Sequence, residues 1–194
     1  MPRNDQLLAQ LRVHAPADDA EARDLESLVN LLTTADDVFS RAHFAPGHVT
    51  ASCYIVDPAS ERLLLHHHRR LDRWLQMGGH VEAGELPHEA ALREGSEESG
   101  LGDLELIPIG QRIPAILDVD VHRIPAGRGE PDHDHFDVRY IARTAAPEAI
   151  TIDRAESNEL AWLPLDRAEA LMNAPESTRV VRKIDRLLRE RSLL

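Results

Sequence analysis

The apolar positions of this chain change period several times, and each change predicts an element boundary. Leu7, Leu8 and Leu11 fall on one side of a short helix over residues 4–14. A second helix follows, capped by Asp18 or Asp19. Asp18 and Glu21 stand at capping-box spacing, and Leu25, Leu28, Val29 and Leu32 repeat at the helical period. Pro46-Gly47 signals a turn, after which the pattern becomes that of strands. His48 to Asp57 is rich in β-branched residues, Asp57-Pro58 opens a turn, and Arg62 to His67 completes a hairpin. Trp74 to Gly79 reads as a loop, and Pro87 to Ser99 as a helix with proline in its first turn. Strand patterns return at Leu104–Ile113, Ala115–Arg123, His133–Arg143 and Asn158–Pro164, with a polar loop over 124–134. Two helices close the chain, Asp166–Met172 and Glu176–Leu193. The longer one has Val180, Val181, Ile184, Leu187 and Leu188 as its apolar face.

Composition narrows the class. A chain of 194 residues with 42% hydrophobic content suits one domain of ordinary size with an appendage. The boundaries expected are a helical extension over 1–40, packed on a domain over 41–194. A net charge of −12 argues against a nucleic-acid partner, whose phosphates need a basic surface. It does not oppose a phosphorylated small molecule, because a bound cation and local arginines offset charge. Cys53 is the single cysteine, so no intrachain disulfide forms, which fits a reducing cytoplasm. Its place in a strand makes it a small core residue rather than a nucleophile. The first residues lack the apolar run of a signal peptide, and no stretch approaches the roughly 20 apolar residues of a membrane span.

One helix departs from ordinary surface design. Taking about 100° per residue, Glu94, Glu97 and Glu98 share an arc of roughly 100°, with Arg93 at its rim. A solvated acidic face is one reading. It carries two penalties: Glu94 and Glu98 repel at i,i+4, and the cluster lies in the last turns, where the helix dipole disfavours anions. Gly100 marks that end as the left-handed cap. A bound divalent cation would remove both penalties.

Gly79, Glu85, Arg93, Glu94, Glu97, Glu98, Gly100 and Leu101 also fall in register on the pattern G-x5-E-x7-R-E-U-x-E-E-x-G-U, where U is apolar. This is the Nudix box, and the chain resembles Nudix hydrolases over roughly residues 45–165. Gly95 stands where the family has an apolar residue, and Met77 where it commonly has proline before the paired glycines. Small residues at Ala91 and Gly95 suggest a helix set close against a sheet. The resemblance implies an α+β fold, an α/β/α sandwich around a mixed central sheet, here with extra N-terminal helices. It implies Mg²⁺ or Mn²⁺ held by Glu94, Glu97, Glu98 and the Gly79 carbonyl, with Arg93 and Glu85 as a pair holding loop and helix together. It also implies hydrolysis of a phosphoanhydride by water. Glu94 or Glu98 would orient or deprotonate that water; Glu130 and Asp137 are other candidates for the base. The substrate class implied is a nucleoside diphosphate linked to another moiety, or a nucleoside triphosphate. The alternative is a nucleotide-binding module with little turnover. An isopentenyl diphosphate isomerase branch is disfavoured, since it needs a cysteine in another setting than Cys53. Homodimers are common in the family.

A second constellation surrounds the polar loop. Asp118, Asp120 and His122 share one strand face, and His133, His135 and Asp137 share a face of another. Paired inward they would line a pocket; turned outward they would be solvated. Candidate substrate contacts are Arg70, Trp74, His80, His122, His133, His135 and Asp137. Trp74 could stack on a ring or simply pack. His66, His67 and His68 cannot easily share one ion, because neighbours on a strand point to opposite faces. The N-terminal helices could pack on the sheet, cover the site or form a dimer surface.

Overall fold

The computed structural model describes residues 1–59, 61–127 and 129–191. Among these residues five α-helices flank one eight-stranded mixed sheet. Helices α1 (Arg3–Leu11) and α2 (Asp19–Thr34) come first, and α2 is capped by the Asp18 carboxylate, which accepts from Glu21 N–H at 2.9 Å. Strands β1 (Gly47–Asp57) and β2 (Arg62–His68) form the expected hairpin. The segment read as a loop is extended instead, as β3 (Arg73–Leu75) and β4 (Met77–His80). From Ile55 onward β1 pairs β2, but between Thr50 and Cys53 it pairs β4, while His66–His68 of β2 pair β3. The run from Arg73 to His80 therefore fills the wedge where β1 and β2 splay. That placement accounts for Met77: it is fully buried in a strand facing Cys53, where an apolar side chain has a partner.

Helix α3 (Pro87–Ser99) ends on Gly100 at φ 75°, as expected. Of the Leu104–Ile113 stretch only β5 (Glu105–Leu106) forms a strand, because Pro108 and Gly110 break the run. Strand β6 (Asp118–Ile124) pairs antiparallel with β7 (His133–Arg143), and β7 runs parallel to β1 over ten residue pairs. Strand β8 (Ser157–Pro164) borders β2. Helices α4 (Leu165–Met172) and α5 (Pro175–Arg191) follow. The expectations for Arg128 in the polar loop and for the last residues of the final helix lie outside the described residues.

Period-2 alternation gives the sheet two unlike faces. Val49, Ala51 and Cys53 of β1, with Val119, Val138 and Tyr140, pack against α1, α2 and α3. Tyr54 and Val56, with Ile141, pack against α4 and α5. The fold is thus an α/β/α sandwich. Leu7, Leu11, Leu28, Leu31 and Leu32 belong to the first of these cores, so the N-terminal helices share it with α3.

Candidate active site

Helix α3 lies on the sheet at the point where β4 meets β1. Gly95 permits this: a Cβ there would sit 3.1 Å from Leu104 Cδ1 and 3.3 Å from Cys53 Cβ. The helix direction then turns Glu94 and Glu98 toward the paired glycines. A Cβ on Gly79 would fall 2.5 Å from Glu94 Oε1, so only glycine leaves room for that carboxylate. Gly78 N–H donates to Glu98 Oε2 at 3.0 Å. Glu97 points outward, with its side chain 60% exposed.

Arg93 joins these parts. Its Nε and Nη2 donate to the two oxygens of Glu85 at 2.8 and 3.2 Å, and Nη2 also donates to the His80 carbonyl at 2.9 Å. Its Nη1 donates to Glu94 at 2.9 Å and Glu97 at 3.2 Å. One guanidinium therefore ties the loop after β4, the helix and two of the acids into one unit. Burial pushes the Glu98 carboxyl up to about 8, helped by the charges of Glu94, Glu156 and Asp153 and opposed by the Gly78 N–H. Burial likewise raises Glu94, against the pull of Arg93. Two desolvated carboxylates facing glycine backbone are costly alone, and a cation beside them would reverse both shifts.

The other face of the sheet carries the second constellation. Asp120 stands opposite Asp137 and His122 opposite His135, so the expected hairpin brings both polar sets together. The aspartates are neither solvated nor free in a pocket. Asp137 is 3% exposed and accepts from Thr50, Ser52 and Arg139. Asp118 is fully buried and accepts from Arg179 and Lys183, and Asp120 accepts from Arg139 and His122. Buried carboxylates of this kind need paired cations, and α5 and β7 supply them. The imidazoles behave differently. His80, His133 and His135 gather with His48, which sequence reasoning left as an ordinary strand residue, with ring centroids 4.8–5.4 Å apart. The signal for His48 was present: His48, Thr50 and Ser52 make every second residue of a buried strand polar. No sequence spacing marked Arg139, Arg179, Lys183 and Glu21 as partners in this network.

Glu130 sits in the loop before β7, paired with Arg41 at 3.3 Å. Trp74 packs on His67 and the second core, six residues or roughly 20 Å along the extended run from His80. Arg70 lies exposed in the turn after β2. The three successive histidines are used separately. His66 bonds Ser157 Oγ at 2.7 Å, His67 bonds Asn158, and His68 accepts from the N–H groups of Arg70 and Leu71. A cavity of about 710 Å³ opens elsewhere, between residues 13–18, residues 109–117 and α5, and no residue of the Glu-rich helix lines it.

Comparison with known proteins agrees with this geometry. The NUDIX domain family matches residues 46–184. A probable DHNTP pyrophosphohydrolase of Lactococcus lactis subsp. cremoris (strain MG1363) is 28% identical over 176 residues, covering 89% of this chain and 93% of its own. A NUDIX-family hydrolase from Clostridium perfringens is 32% identical, with a TM-score of 0.51 over 72% of this chain and 97% of that one. The dihydroneopterin triphosphate pyrophosphohydrolase of E. coli shares the fold at 22% identity, with a TM-score of 0.54 over 70% and 92%. The match spans well over half of the chain and contains the glycine-seated acidic helix, and the chain belongs to the Nudix hydrolase family.

Proposed function

We propose that this hydrolase is a divalent-cation-dependent pyrophosphohydrolase that cleaves a phosphoanhydride by attack of water on phosphorus. The observation that carries the reading is the junction of α3 with β4, where Glu94 lies against Gly79 and Glu98 against Gly78. The donors there are carboxylate and carbonyl oxygens, the hard set that Mg²⁺ and Mn²⁺ take. Glu94, Glu97, Glu98 and the Gly79 carbonyl would hold the metal, and when bound it supplies charge neutralisation and a more acidic water. Arg93 and Glu85 act as positioning residues, fixing the helix to the loop through their paired hydrogen bonds. Glu94 or Glu98 orients the attacking water. Among the other candidate bases, Asp137 already takes hydrogen bonds from Thr50, Ser52 and Arg139, whereas Glu130 is partly exposed beside Arg41, which favours Glu130.

The substrate class is a nucleoside diphosphate linked to another moiety, or a triphosphate on a nucleoside-like ring. The Lactococcus relative, named for DHNTP, favours the triphosphate. A release screen with Mg²⁺ and Mn²⁺ should cover nucleotide sugars, dinucleoside polyphosphates, nucleoside triphosphates and dihydroneopterin triphosphate, with products identified by mass. Hydrolysis that stops on chelation is the expected result. Tight binding of one of these compounds without release would favour the binding module instead. Glu97→Gln and Glu98→Gln are each expected to lower turnover at least about tenfold with the fold retained. Near-wild-type hydrolysis by both would remove the metal-ligand assignment. No helix among the described residues is long and apolar enough to cross a membrane. With Cys53 buried and unpaired, we place the enzyme in the cytoplasm.

A further inference from the structure

The imidazole cluster on the α5 face has a geometry that substrate packing does not explain. His48 and His133 are each 1% exposed. His48 Nδ1 bonds the His43 carbonyl at 3.2 Å, and His133 Nδ1 bonds the Pro131 carbonyl at 2.9 Å. A carbonyl oxygen only accepts, so both Nδ1 atoms carry the proton and both Nε2 atoms present a lone pair. Among the described residues His48 Nε2 is buried without a hydrogen-bond partner. Leaving a buried polar atom unpaired is costly, and such atoms call for a specific reason. His135 completes the group: one ring nitrogen from each of His48, His133 and His135 lies within 4.8 Å of the others.

We propose that His48, His133 and His135 form a second metal site, separate from the carboxylate site and selective for a borderline transition metal, Zn²⁺ being the natural occupant. Tetrahedral zinc with Zn–N bonds of about 2.0–2.1 Å sets its nitrogens about 3.3 Å apart, so at most about 1.5 Å of closure is needed. The two carbonyl-bound Nδ1–H groups are the outer hydrogen bonds that usually orient ligating imidazoles. Burial and the surrounding rings hold His48 down to about 4, so that ring is neutral, the form a metal takes. An all-imidazole donor set excludes Mg²⁺ in favour of zinc-like ions. Three protein ligands leave a fourth position for water or for an oxygen or nitrogen of a bound molecule. His80, whose ring lies 5.1 Å from that of His48 and whose carbonyl holds Arg93, connects this site to the box.

The test uses the full chain without a histidine tag, titrated with Co²⁺ in the presence of excess Mg²⁺. We expect one equivalent of Co²⁺ to give the visible bands of tetrahedral cobalt and to be displaced by Zn²⁺. The same titration is expected in Glu97→Gln/Glu98→Gln and in His67→Gln. His135→Gln, a half-buried position, should weaken binding at least about a hundredfold, since outer-sphere partners alone account for 10–100-fold. Zinc-edge X-ray absorption of the wild-type chain gives a second readout that needs no variant, with three imidazoles and one further oxygen or nitrogen donor expected. Absence of tetrahedral bands, an unchanged titration in a folded His135→Gln, loss of binding in the box variant, or an oxygen-only zinc shell would each overturn the proposal.

Discussion

Glu98 sits where fold and chemistry conflict. Burial lifts its carboxyl to about 8, well above the ordinary glutamate value of 4.5. A raised carboxyl favours the folded state below the unfolded value, and this contribution is lost as pH climbs through the folded value. The metal-free protein is therefore expected to lose stability between about pH 4.5 and pH 8. Glu98→Gln removes this ionisation while its amide oxygen can still accept from Gly78. At pH 8 without metal it should melt at least roughly 3 °C higher, about 1 kcal/mol for a chain of this size, and yet turn over poorly. Calorimetry in chelator at pH 5 and pH 8 checks the stability, and the release assay with Mg²⁺ checks the turnover; an equal or lower melting temperature at pH 8 would refute the conflict. The box acids and glycines were legible as a pattern because their spacing is local. Gly95 and Met77 stood out only as departures. Their reason needed the neighbours, Cys53 and Leu104 against the helix and the β1 ladder beside Met77.

At the scale of elements, the chain is fastened by a buried ionic network. Glu21 of α2 takes hydrogen bonds from His14, Ala17 N–H, Val119 N–H and Lys183 of α5, while Asp118 of β6 binds Arg179 and Lys183. Burial alone would raise Glu21, but these donors prevail and hold it down to about 2. A lowered carboxyl contributes stability above its unfolded value, and the contribution disappears as pH falls through the folded one. Acid should therefore loosen α2 from α5 between about pH 4.5 and pH 2. Glu21→Gln should be less stable at pH 7 and show a flatter acid limb, measured by urea unfolding across that range. An acid limb identical to the wild type would show that Glu21 does not couple these elements. The sequence marked Asp18 and Glu21 as helix-capping residues. Asp18 does cap, but Glu21 reaches across the molecule, because a carboxylate at 0% exposure must find cations wherever the fold puts them.

For the whole molecule, the question is whether residues 1–40 are an appendage. Leu7, Leu11, Leu28, Leu31 and Leu32 are all at most 3% exposed and lie in one core with the box helix. At about 1.5–3 kcal/mol for each buried leucine, their loss rivals the 5–15 kcal/mol that holds an ordinary domain together. A chain starting after residue 40 is expected to lose its cooperative melt or to be recovered only as aggregate. A truncated protein that melts like the full chain would make the helices dispensable. By itself the sequence determined the order of most strands and helices, the acidic helix with its glycine seats and the family it resembles. Those features rest on local periodicity and on residues a few positions apart. Only the tertiary structure decided that the run from Arg73 to His80 pairs with β2 and β1, that Asp120 and Asp137 are closed by Arg139 and Asp118 by Arg179, and that His48 meets His133 and His135. Such meetings depend on how strands and helices pair across the fold. For His48 the partners lie more than 80 residues away along the chain, on the parallel neighbour of its strand, where no local pattern records them.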